Sequence, residues 1–301
     1  MKDLSVIIVS YNTCKLTKKT LEELITALDK EKLTSEVIIV DNASIDGSAQ
    51  MLQMKAKDHD NIIVINNTTN LGFGAANNLG IKKAQGDYVL LLNSDVEITK
   101  TDFKGLIKYF TKHEDVGGLT VKVMLTEKTI DPASHRGFPT IWHSFTYFLG
   151  LEKITKNIPL LNKLFGGYHK TWEDLSTTHE IDSPTAAFFL IPKQLLKKIG
   201  GFDEDFFMYG EDLDLSFRIK ELGYKIMYFP LFTVRHLKHQ SGLRTYDYKT
   251  KKVTTSHFYS AMKIFYKKHY AAHHSSLSNG LMYTLIDALC FIKISMLHDN
   301  T

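Results

Sequence analysis

The chain has 301 residues, of which 44% are hydrophobic and 23% are charged, a composition that excludes a disordered protein and suits one large α/β domain or two smaller ones. The formal net charge is only +4, which is too small to indicate nucleic-acid binding. The two cysteines, Cys14 and Cys290, lie far apart in the sequence, which excludes a disulfide framework and a cysteine metal site.

The N-terminal sequence MKDLSVIIVSYN has an apolar run that is too short and ends in residues too polar for a signal peptide. No segment of about 18 residues is free of charge, as a membrane span would require. We therefore expect a cytoplasmic protein. Lysines and histidines between residues 249 and 274 could bring it to an anionic lipid surface, such as the inner face of the plasma membrane.

The first hundred residues alternate between two patterns. Short continuous runs of Val, Ile and Leu, typical of strands buried on both faces, alternate with segments of helical periodicity. The runs are residues 4–9, 37–40, 62–65 and 88–92, and the helical segments between them are 16–28, 48–57 and 75–84. This order predicts a parallel sheet with right-handed helical crossovers.

Polar residues follow three of these predicted strands. They are Ser10, Tyr11 and Asn12 after the first, Asp41, Asn42, Ala43 and Ser44 after the second, and Asn93, Ser94 and Asp95 after the fourth. Residues at the carboxyl ends of parallel strands share one edge of the sheet, where open α/β folds bind ligands. Any one of them could instead start a turn or cap a helix, but three such groups together favour a ligand site.

A second cluster of acids lies in the segment FMYGEDLDLSFRIKELGYK. An apolar stripe at Leu215, Ile219 and Leu222, closed by Gly223, predicts a helix. Three acids would then occupy its first turn: Glu211, Asp212 and Asp214. The positive end of the helix dipole stabilises carboxylates at this place, which explains the acids without any catalytic role.

Two further segments are apolar without being regular. Residues 131–180 mix aromatic, aliphatic and lysine residues in short pieces, so they could form an insertion with exposed apolar groups or pack inward as helices on the sheet. The chain is predicted to be helical from Thr254 onward. Because residues 280–297 contain Asp287 and Lys293, they predict a membrane-surface or dimer-forming helix, or one packed on the catalytic domain, and not a span.

Four motifs in order, SVIIVSYN, VIIVDNASIDGS, NLGFGAANNLGIKKAQGDYVLLLNSD and FMYGEDLDLSFRIKELGYK, resemble family 2 glycosyltransferases, and most of all the bacterial rhamnosyltransferase-like branch. The resemblance covers roughly residues 3–240. It implies the GT-A fold: a Rossmann-like, mostly parallel central sheet flanked by helices, here with a C-terminal helical extension. Residues 1–240 would be the glycosyltransferase domain, with a nucleotide-sugar-binding half (1–100) and an acceptor or catalytic half (101–240), and residues 241–301 the extension.

The resemblance also implies a donor site. Tyr11 would cover a nucleotide base, with Ser10 and Asn12 beside it, and Asp41 would accept a hydrogen bond from the N3 imide of uracil or thymine. The segment that begins NLGF would approach the donor more closely. Its contributors would be Asn70, Gly72, Phe73 and Asn78, with Asn93 and Ser94 at the next strand end.

A divalent metal, Mn²⁺ or Mg²⁺, is implied by the same resemblance. Asp95 matches the last acid of the family's DxD motif, whereas Asn93 stands where the first Asp would be. His236 follows a strand-like run where relatives often hold the metal, although it could equally be a structural histidine. His239 is less suited to this role.

The resemblance assigns catalysis to the first turn of the predicted helix. Asp212 would be the general base, Glu211 its support or an acceptor contact, and Asp214 a structural residue. The implied reaction is inverting transfer of a sugar, with L-rhamnose from dTDP-rhamnose favoured and a UDP-hexose as substitute. The acceptor would be a glycan or a polyprenyl-linked glycan of a cell-surface polysaccharide.

Two other functions are weighed against this one. The replaced DxD acid is compatible with a catalytically silent subunit that binds sugar nucleotides or polysaccharides, although the retained Asp212 argues against it. A processive synthase would need transmembrane helices and a QxxRW motif, and neither is found.

Overall fold

A computed structural model of the protein describes residues 2–238 and 248–298, without the side chain of His298. In these residues a ten-stranded sheet forms the centre of the molecule. The strands are β1 (Leu4–Ser10), β2 (Ser35–Asp41), β3 (Ile62–Asn66), β4 (Tyr88–Asn93), β5 (Val96–Glu97), β6 (Val116–Thr126), β7 (Thr129–Ile130), β8 (His179–Ile181), β9 (Phe188–Pro192) and β10 (Lys225–His236).

Helices cover the sheet and extend beyond it. They are α1 (Cys14–Glu31), α2 (Ser48–Asp58), α3 (Phe73–Lys83), α4 (Phe103–Lys112), α5 (Ile141–Phe148), α6 (Leu151–Thr155), α7 (Pro159–Phe165), α8 (Lys193–Ile199), α9 (Glu211–Glu221), α10 (Tyr248–His269) and α11 (Ser276–His298). Short 3-10 turns span Pro132–His135 and Ala271–His273. The predicted α/β fold with a helix-flanked central sheet is confirmed.

The sheet has two halves of different character, in the order β3-β2-β1-β4-β9-β6-β10-β5. From β3 to β4 every pair is parallel, and each strand and helix predicted in this half is present. Beyond β4 the sheet is mixed, because β9 pairs antiparallel with β4 and β6, and only β6 and β10 are parallel neighbours. The prediction of a mostly parallel sheet therefore describes the first half better than the second.

Residues between β7 and β8 form the three short helices α5, α6 and α7 and leave much of their apolar surface in contact with solvent. Exposed side chains here are Ile141, Trp142, Phe145, Leu149, Ile154, Ile158, Leu160, Leu161 and Leu164. The sequence allowed either an insertion with exposed apolar groups or helices packed inward. The segment combines features of both, because it forms helices and also exposes apolar groups. The segment does not pack its apolar side chains against the sheet in the way that α1 and α3 do.

The C-terminal helices lie on the side of α9. Phe265 on α10 packs with Phe206 and Leu213 in a small core, whereas α11 packs on α10 and is otherwise exposed. Among the described residues, one helix is long and apolar enough to cross a membrane by length and composition, Ser276–Leu297, and only 6% of its most apolar window is buried. Full burial of α11 against the other described residues is thus excluded.

Several basic groups of α10 are engaged within the protein. Lys263 pairs with Asp287 at 2.7 Å, and Lys268 pairs with Asp203 at 2.6 Å. His269 is buried and contacts Asp214 at 2.8 Å. These three side chains are therefore less available to lipid headgroups than the sequence suggested.

Candidate active site

A cavity of about 700 Å³ opens at the carboxyl edge of β1, β2 and β4 and extends toward α10 and α11. Eight of the residues predicted to act at the site line it: Tyr11, Asn70, Gly72, Phe73, Asn93, Ser94, Asp95 and His236. Glu211 and Asp212 line it as well. The fold thus brings the strand ends and the first turn of α9 to one space, although they are distant in sequence.

The loop before α3 is held at this edge by Asn42, which sequence reasoning did not assign a role. The Asn42 side-chain amide donates to Asn70 Oδ1 at 2.8 Å, and its carbonyl accepts from the backbone of Leu71 at 3.1 Å. Asn70 Oδ1 also accepts from the backbone N–H of Gly72 at 2.9 Å. Asn70 therefore shapes the loop, and the loop backbone and Phe73 face the cavity.

Asp41 lies at the end of β2, in register with Ser10 at the end of β1. One carboxylate oxygen, Oδ2, accepts from the backbone N–H of Ser44 at 3.1 Å. The other, Oδ1, is buried and has no hydrogen-bond partner. Buried polar atoms nearly always have a partner, so this oxygen is positioned to accept a hydrogen bond from a ligand.

Four of the predicted donor-binding residues do not line the cavity. One is Asp41, and the other three hold the backbone around the cavity. The Ser10 hydroxyl is fully buried and contacts Thr17 Oγ1 at 2.9 Å. Asn12 accepts from the backbone of Ile45 at 2.8 Å. Asn78 bonds both backbone groups of Phe202, at 2.8 and 2.9 Å. Ser10 and Asn78 thus use their side-chain polar groups to hold the protein backbone or a neighbouring side chain, and Asn12 does so with its side-chain oxygen. Direct contacts of these three side chains with a donor stay a prediction.

Asp95 and His236 meet because β5 and β10 pair antiparallel, with His236 opposite Val96. His236 Nε2 lies 3.2 Å from Asp95 Oδ1 and 3.2 Å from the side-chain nitrogen of Asn93. The other Asn93 side-chain atom, Oδ1, is buried without a partner. The structure thus brings the two predicted metal ligands together. His239 lies outside the described residues.

Asp131, which the sequence did not single out, lies behind His236. Its Oδ2 is 3.3 Å from His236 Nδ1, and its Oδ1 accepts from Lys238 Nζ at 2.8 Å. Burial opposes the charge on both groups, but the mutual contacts prevail: the pKa of Asp131 is lowered and that of His236 is raised. Carboxylates that bind the far nitrogen of a metal-ligating histidine orient its ring in this way.

The donor set at this point suits a divalent cation that takes most of its ligands from elsewhere. Among residues 2–238 and 248–298, no cluster of three or more His, Cys, Asp or Glu side chains could hold a metal alone. Asp95, His236 and the unpartnered Asn93 oxygen offer oxygen and imidazole ligands of the kind that Mn²⁺ accepts. The residues present therefore fit a metal that is completed by phosphate and water.

Asp212 is engaged by Arg136, a residue that the sequence pattern did not reveal. Arg136 Nη2 lies 2.7 Å from Asp212 Oδ2, and both side chains are largely buried. A backbone bridge between Arg136 and Ser183 fixes the arginine, which also donates to the carbonyl of Pro184 at 3.2 Å. Because the ion pair joins positions 76 residues apart, no local sequence motif predicts it.

The other two acids of α9 differ sharply from each other. Glu211 is buried with Oε2 unpartnered, and burial together with the neighbouring Asp212 raises its pKa to about 8. Glu211 therefore carries a proton at neutral pH. Asp214 is enclosed by Arg218 and His269, each at 2.8 Å, which agrees with the structural role expected for it.

The loop before α3 and the segment before α9 touch at Gly72 and Phe207. The backbone N–H of Phe73 donates to the carbonyl of Phe207 at 3.0 Å. Gly72 has φ of +85°, and a Cβ there would lie 2.5 Å from that same carbonyl oxygen. Only glycine suits this position, since the backbone conformation and the lack of space both exclude a side chain.

The sequence matches the model of a known protein family. The sequence model described as "Glycosyl transferase family 2" matches residues 5–174, more than half of the chain. The match includes the strand ends at Asp41 and Asp95 and also Arg136.

Individual relatives are more distant. The chain is 28% identical over 179 residues to rhamnosyltransferase WbbL of Escherichia coli K12, covering 57% of this chain and 62% of that protein. It is 26% identical over 224 residues to the low-salt glycan biosynthesis hexosyltransferase Agl10 of Haloferax volcanii, covering 73% and 62%. The chain therefore spans less than two thirds of the length of these relatives.

Among solved structures, the fold is similar to that of the mannosyltransferase PcManGT from Pyrobaculum calidifontis in complex with GDP-Man and Mn²⁺. The TM-score is 0.55 at 17% identity, and the match covers 99% of this chain and 86% of that one. At this identity the similarity concerns the fold.

Proposed function

Since the chain belongs to glycosyl transferase family 2 and has the GT-A fold, we propose that it transfers a sugar, with inversion, from a nucleotide donor to an acceptor hydroxyl during synthesis of a surface glycan. The observation that carries this proposal is the shared cavity. Asp95 at the end of the nucleotide-binding strands and Asp212 at the start of α9 both line it. A donor held at the first carboxylate would thus present its sugar to the second.

For the donor, we propose a uridine or thymidine diphosphate sugar. The unpartnered Asp41 Oδ1 is the acceptor that the N3–H of uracil or thymine would satisfy, whereas N3 of cytosine carries no hydrogen to donate. Tyr11, which is 40% exposed at the cavity, would cover the base. The name of the Escherichia coli relative favours rhamnose as the sugar, and with a thymidine base the donor would be dTDP-rhamnose. A UDP-hexose is the substitute.

Asp95 and His236 would hold a Mn²⁺ or Mg²⁺ ion, with Asp131 orienting the imidazole. Such a cation neutralises the charge that grows on a diphosphate leaving group. The solved mannosyltransferase was crystallised with Mn²⁺, which supports this proposal.

The proposed chemical step is one in-line displacement. The acceptor hydroxyl oxygen forms a bond to the anomeric carbon, its proton passes to the Asp212 carboxylate, and the bond from that carbon to the diphosphate breaks with its electron pair on the leaving nucleotide. Arg136 fixes Asp212 through one oxygen. Burial raises the pKa of Glu211 beside it, and in its protonated form Glu211 adds no second negative charge next to the proposed base.

For cellular location and domain organisation, we propose a cytoplasmic enzyme at the inner face of the plasma membrane. Residues 1–240 would carry the reaction and 241–301 the membrane contact. The exposed apolar surface of α11 supports this location. If α11 instead joined two copies of the chain, the protein would sediment as a dimer and stay in solution when anionic liposomes are pelleted.

The proposed function is tested by offering UDP-, dTDP-, GDP- and CDP-sugars with Mn²⁺ and a panel of acceptors, and by measuring released nucleoside diphosphate. We expect turnover with a uridine or thymidine donor and none with Asp212→Asn. A catalytically silent subunit, the alternative that the altered DxD motif suggests, would bind the nucleotide in calorimetry and release none from any donor. That result would reject the proposed activity.

A further inference from the structure

The cavity of the proposed active site has a second arm, which is chemically unlike the first. At the strand edge its walls carry Asp95, Asp212 and His236. Away from that edge, α5, α10 and α11 line it with apolar side chains, namely Phe145, Phe148, Ala261, Met262, Phe265, Leu285, Ile286 and Leu289. We call this the apolar arm.

We propose that the apolar arm binds the hydrocarbon chain of a lipid-linked acceptor, adjacent to the headgroup whose sugar is being extended. This inference rests on the proposed function, because it names the acceptor class of the same site. The lipid enters the arm from a bilayer.

The lining of the arm argues against a glycan as its occupant. Sugars are bound through many hydrogen bonds, and a buried hydroxyl without a partner is costly. The arm offers few polar groups, and of these the Tyr266 hydroxyl already donates to Asn279 Oδ1 at 2.8 Å. A hydrocarbon chain needs no such partners and gains free energy for each methylene that leaves water.

The size of the arm suits a narrow chain. Its lining residues on α11 run from Met282 to Leu289, and those on α10 from Phe258 to Tyr266. At 1.5 Å of rise per residue, either stretch is about 10 Å long. The arm can therefore enclose only the part of a long lipid nearest its headgroup.

The surface around the arm indicates where the lipid comes from. On α11, Leu281, Phe291 and Ile292 are exposed, and α5 and α7 add Trp142 and Leu160. Exposed apolar surface of this extent marks a protein or membrane contact. Because the cavity continues from this surface to Asp212, an amphiphile could keep its tail in a bilayer while its headgroup reaches the base. A second copy of the chain covering α11 from outside would leave the interior of the arm unfilled.

A binding experiment tests this on the full chain, with UDP or dTDP and Mn²⁺ present. Alkyl phosphates from butyl to hexadecyl are titrated below their critical micelle concentrations. We expect affinity to rise by about fourfold for each added methylene, which is the fold-change for about 0.8 kcal/mol, and then to level off once the arm is full. Affinity that is independent of chain length, or that rises without a plateau, overturns the proposal.

A matched pair of variants locates the site. Leu289→Asn places an amide in the arm, whereas Leu277→Asn makes the same change at an exposed position of the same helix that does not line it. Leu289→Asn should reduce the dependence on chain length, and Leu277→Asn should preserve it. Equal effects of the two would show that the chain binds elsewhere.

The outcome can be separated from that of the proposed function. Transfer to a water-soluble acceptor without an alkyl chain reports the reaction alone. If this transfer occurs while alkyl affinity is flat, the lipid inference fails and the glycosyltransferase stands. If alkyl phosphates bind with the expected plateau but no donor is turned over, the apolar arm binds alkyl chains as proposed and the proposed transfer activity fails.

Discussion

The proposed nucleotide side and the proposed acceptor side of the cavity are built in different ways. On the nucleotide side, Tyr11, Asp41 and Asn93 come at or directly after the ends of parallel strands, so consecutive stretches of sequence deliver them to one edge. On the acceptor side, Arg136 meets Asp212 across 76 positions and His236 meets Asp131 across 105. The first side is assembled by a repeated local pattern and the second by individual long-range contacts.

This difference implies that the two sides should fail separately. Substitutions at the strand ends should change which nucleotide binds and how tightly. Substitutions at the start of α9 should change transfer and leave nucleotide binding intact. His236 and Asp131 lie at the boundary and should affect both properties through the metal.

The largest effect is expected for Asp212→Asn, which removes the proposed proton acceptor at nearly constant shape. Transfer should fall by at least about 100-fold. Nucleotide affinity, measured by calorimetry, should stay within about twofold of the parent, a difference of less than about 0.5 kcal/mol.

Glu221→Gln is the control for this variant, because Glu221 is an exposed acid at the far end of the same helix. It should leave transfer unchanged. If Asp212→Asn weakened nucleotide binding as much as transfer, the division between the two sides would be wrong.

The next largest effect is expected at Asp131 and His236, which lie at the boundary between the two sides. Asp131→Asn keeps the size of the side chain but weakens its hold on His236, and changes behind a metal-ligating histidine typically cost 10- to 100-fold in metal affinity. We expect a loss of about that size in Mn²⁺-dependent binding of the nucleoside diphosphate, and little change in EDTA.

Asp115→Asn serves as the control, since Asp115 also pairs with a lysine, Lys225, but on the surface. Melting curves of both variants report whether the buried Asp131 is needed for folding. Equal Mn²⁺ dependence in Asp131→Asn and the parent would contradict a metal at His236.

A smaller change is expected for Asp41→Asn, which tests the nucleotide side alone. Hydrogen bonds to charged groups contribute about 1.5–3 kcal/mol, so affinity for UDP or dTDP should fall by about tenfold or more. Preference over CDP should narrow, while turnover of bound donor should be nearly unchanged. The exposed Asp60, changed to Asn, is the control. A selective loss of turnover instead would move Asp41 to the catalytic side of the comparison.

The smallest effect concerns stability and pH. Because the pKa of Glu211 is raised to about 8 in the folded protein and is about 4.3 in an unfolded chain, the unfolded state alone ionises between these values. This group therefore lowers stability as pH rises from about 4 to about 8. Glu211→Gln should therefore raise the melting temperature more near pH 8 than near pH 4. Thermal melts across this range, with Glu221→Gln as control, would contradict the argument if the two pH values gave equal shifts.

The same division explains what could be predicted from the sequence. Strands β1 to β4 and helices α1 to α3 follow from periodicity, and the residues after the strands follow from the rule that parallel strands end at one edge. Ser10, Asn12 and Asn78 were assigned to the donor because sequence reveals a strand end but not the direction of each side chain. In the structure the hydroxyl of Ser10 contacts Thr17, the side-chain amide of Asn78 bonds Phe202, and the side-chain oxygen of Asn12 bonds Ile45.

On the acceptor side, the sequence indicated Asp212 and His236 only through resemblance to a family. Arg136 and Asp131 lie in the segment whose composition matched no regular element, and their partners are decided by how β7, β8 and β10 come together. The apolar arm could not be foreseen either. Helices α5, α10 and α11 each show an apolar surface, but only their packing leaves a space between them.

The contact between Gly72 and Phe207 also bears on how freely such a protein can be altered. Any residue with a side chain at position 72 would have to displace the backbone of Phe207, which leads directly into α9. In a library of variants selected for function, position 72 should remain glycine, whereas exposed positions such as Met54 should accept many residues. The loop before α3 could therefore be exchanged between related enzymes only together with the segment around residue 207 that it contacts.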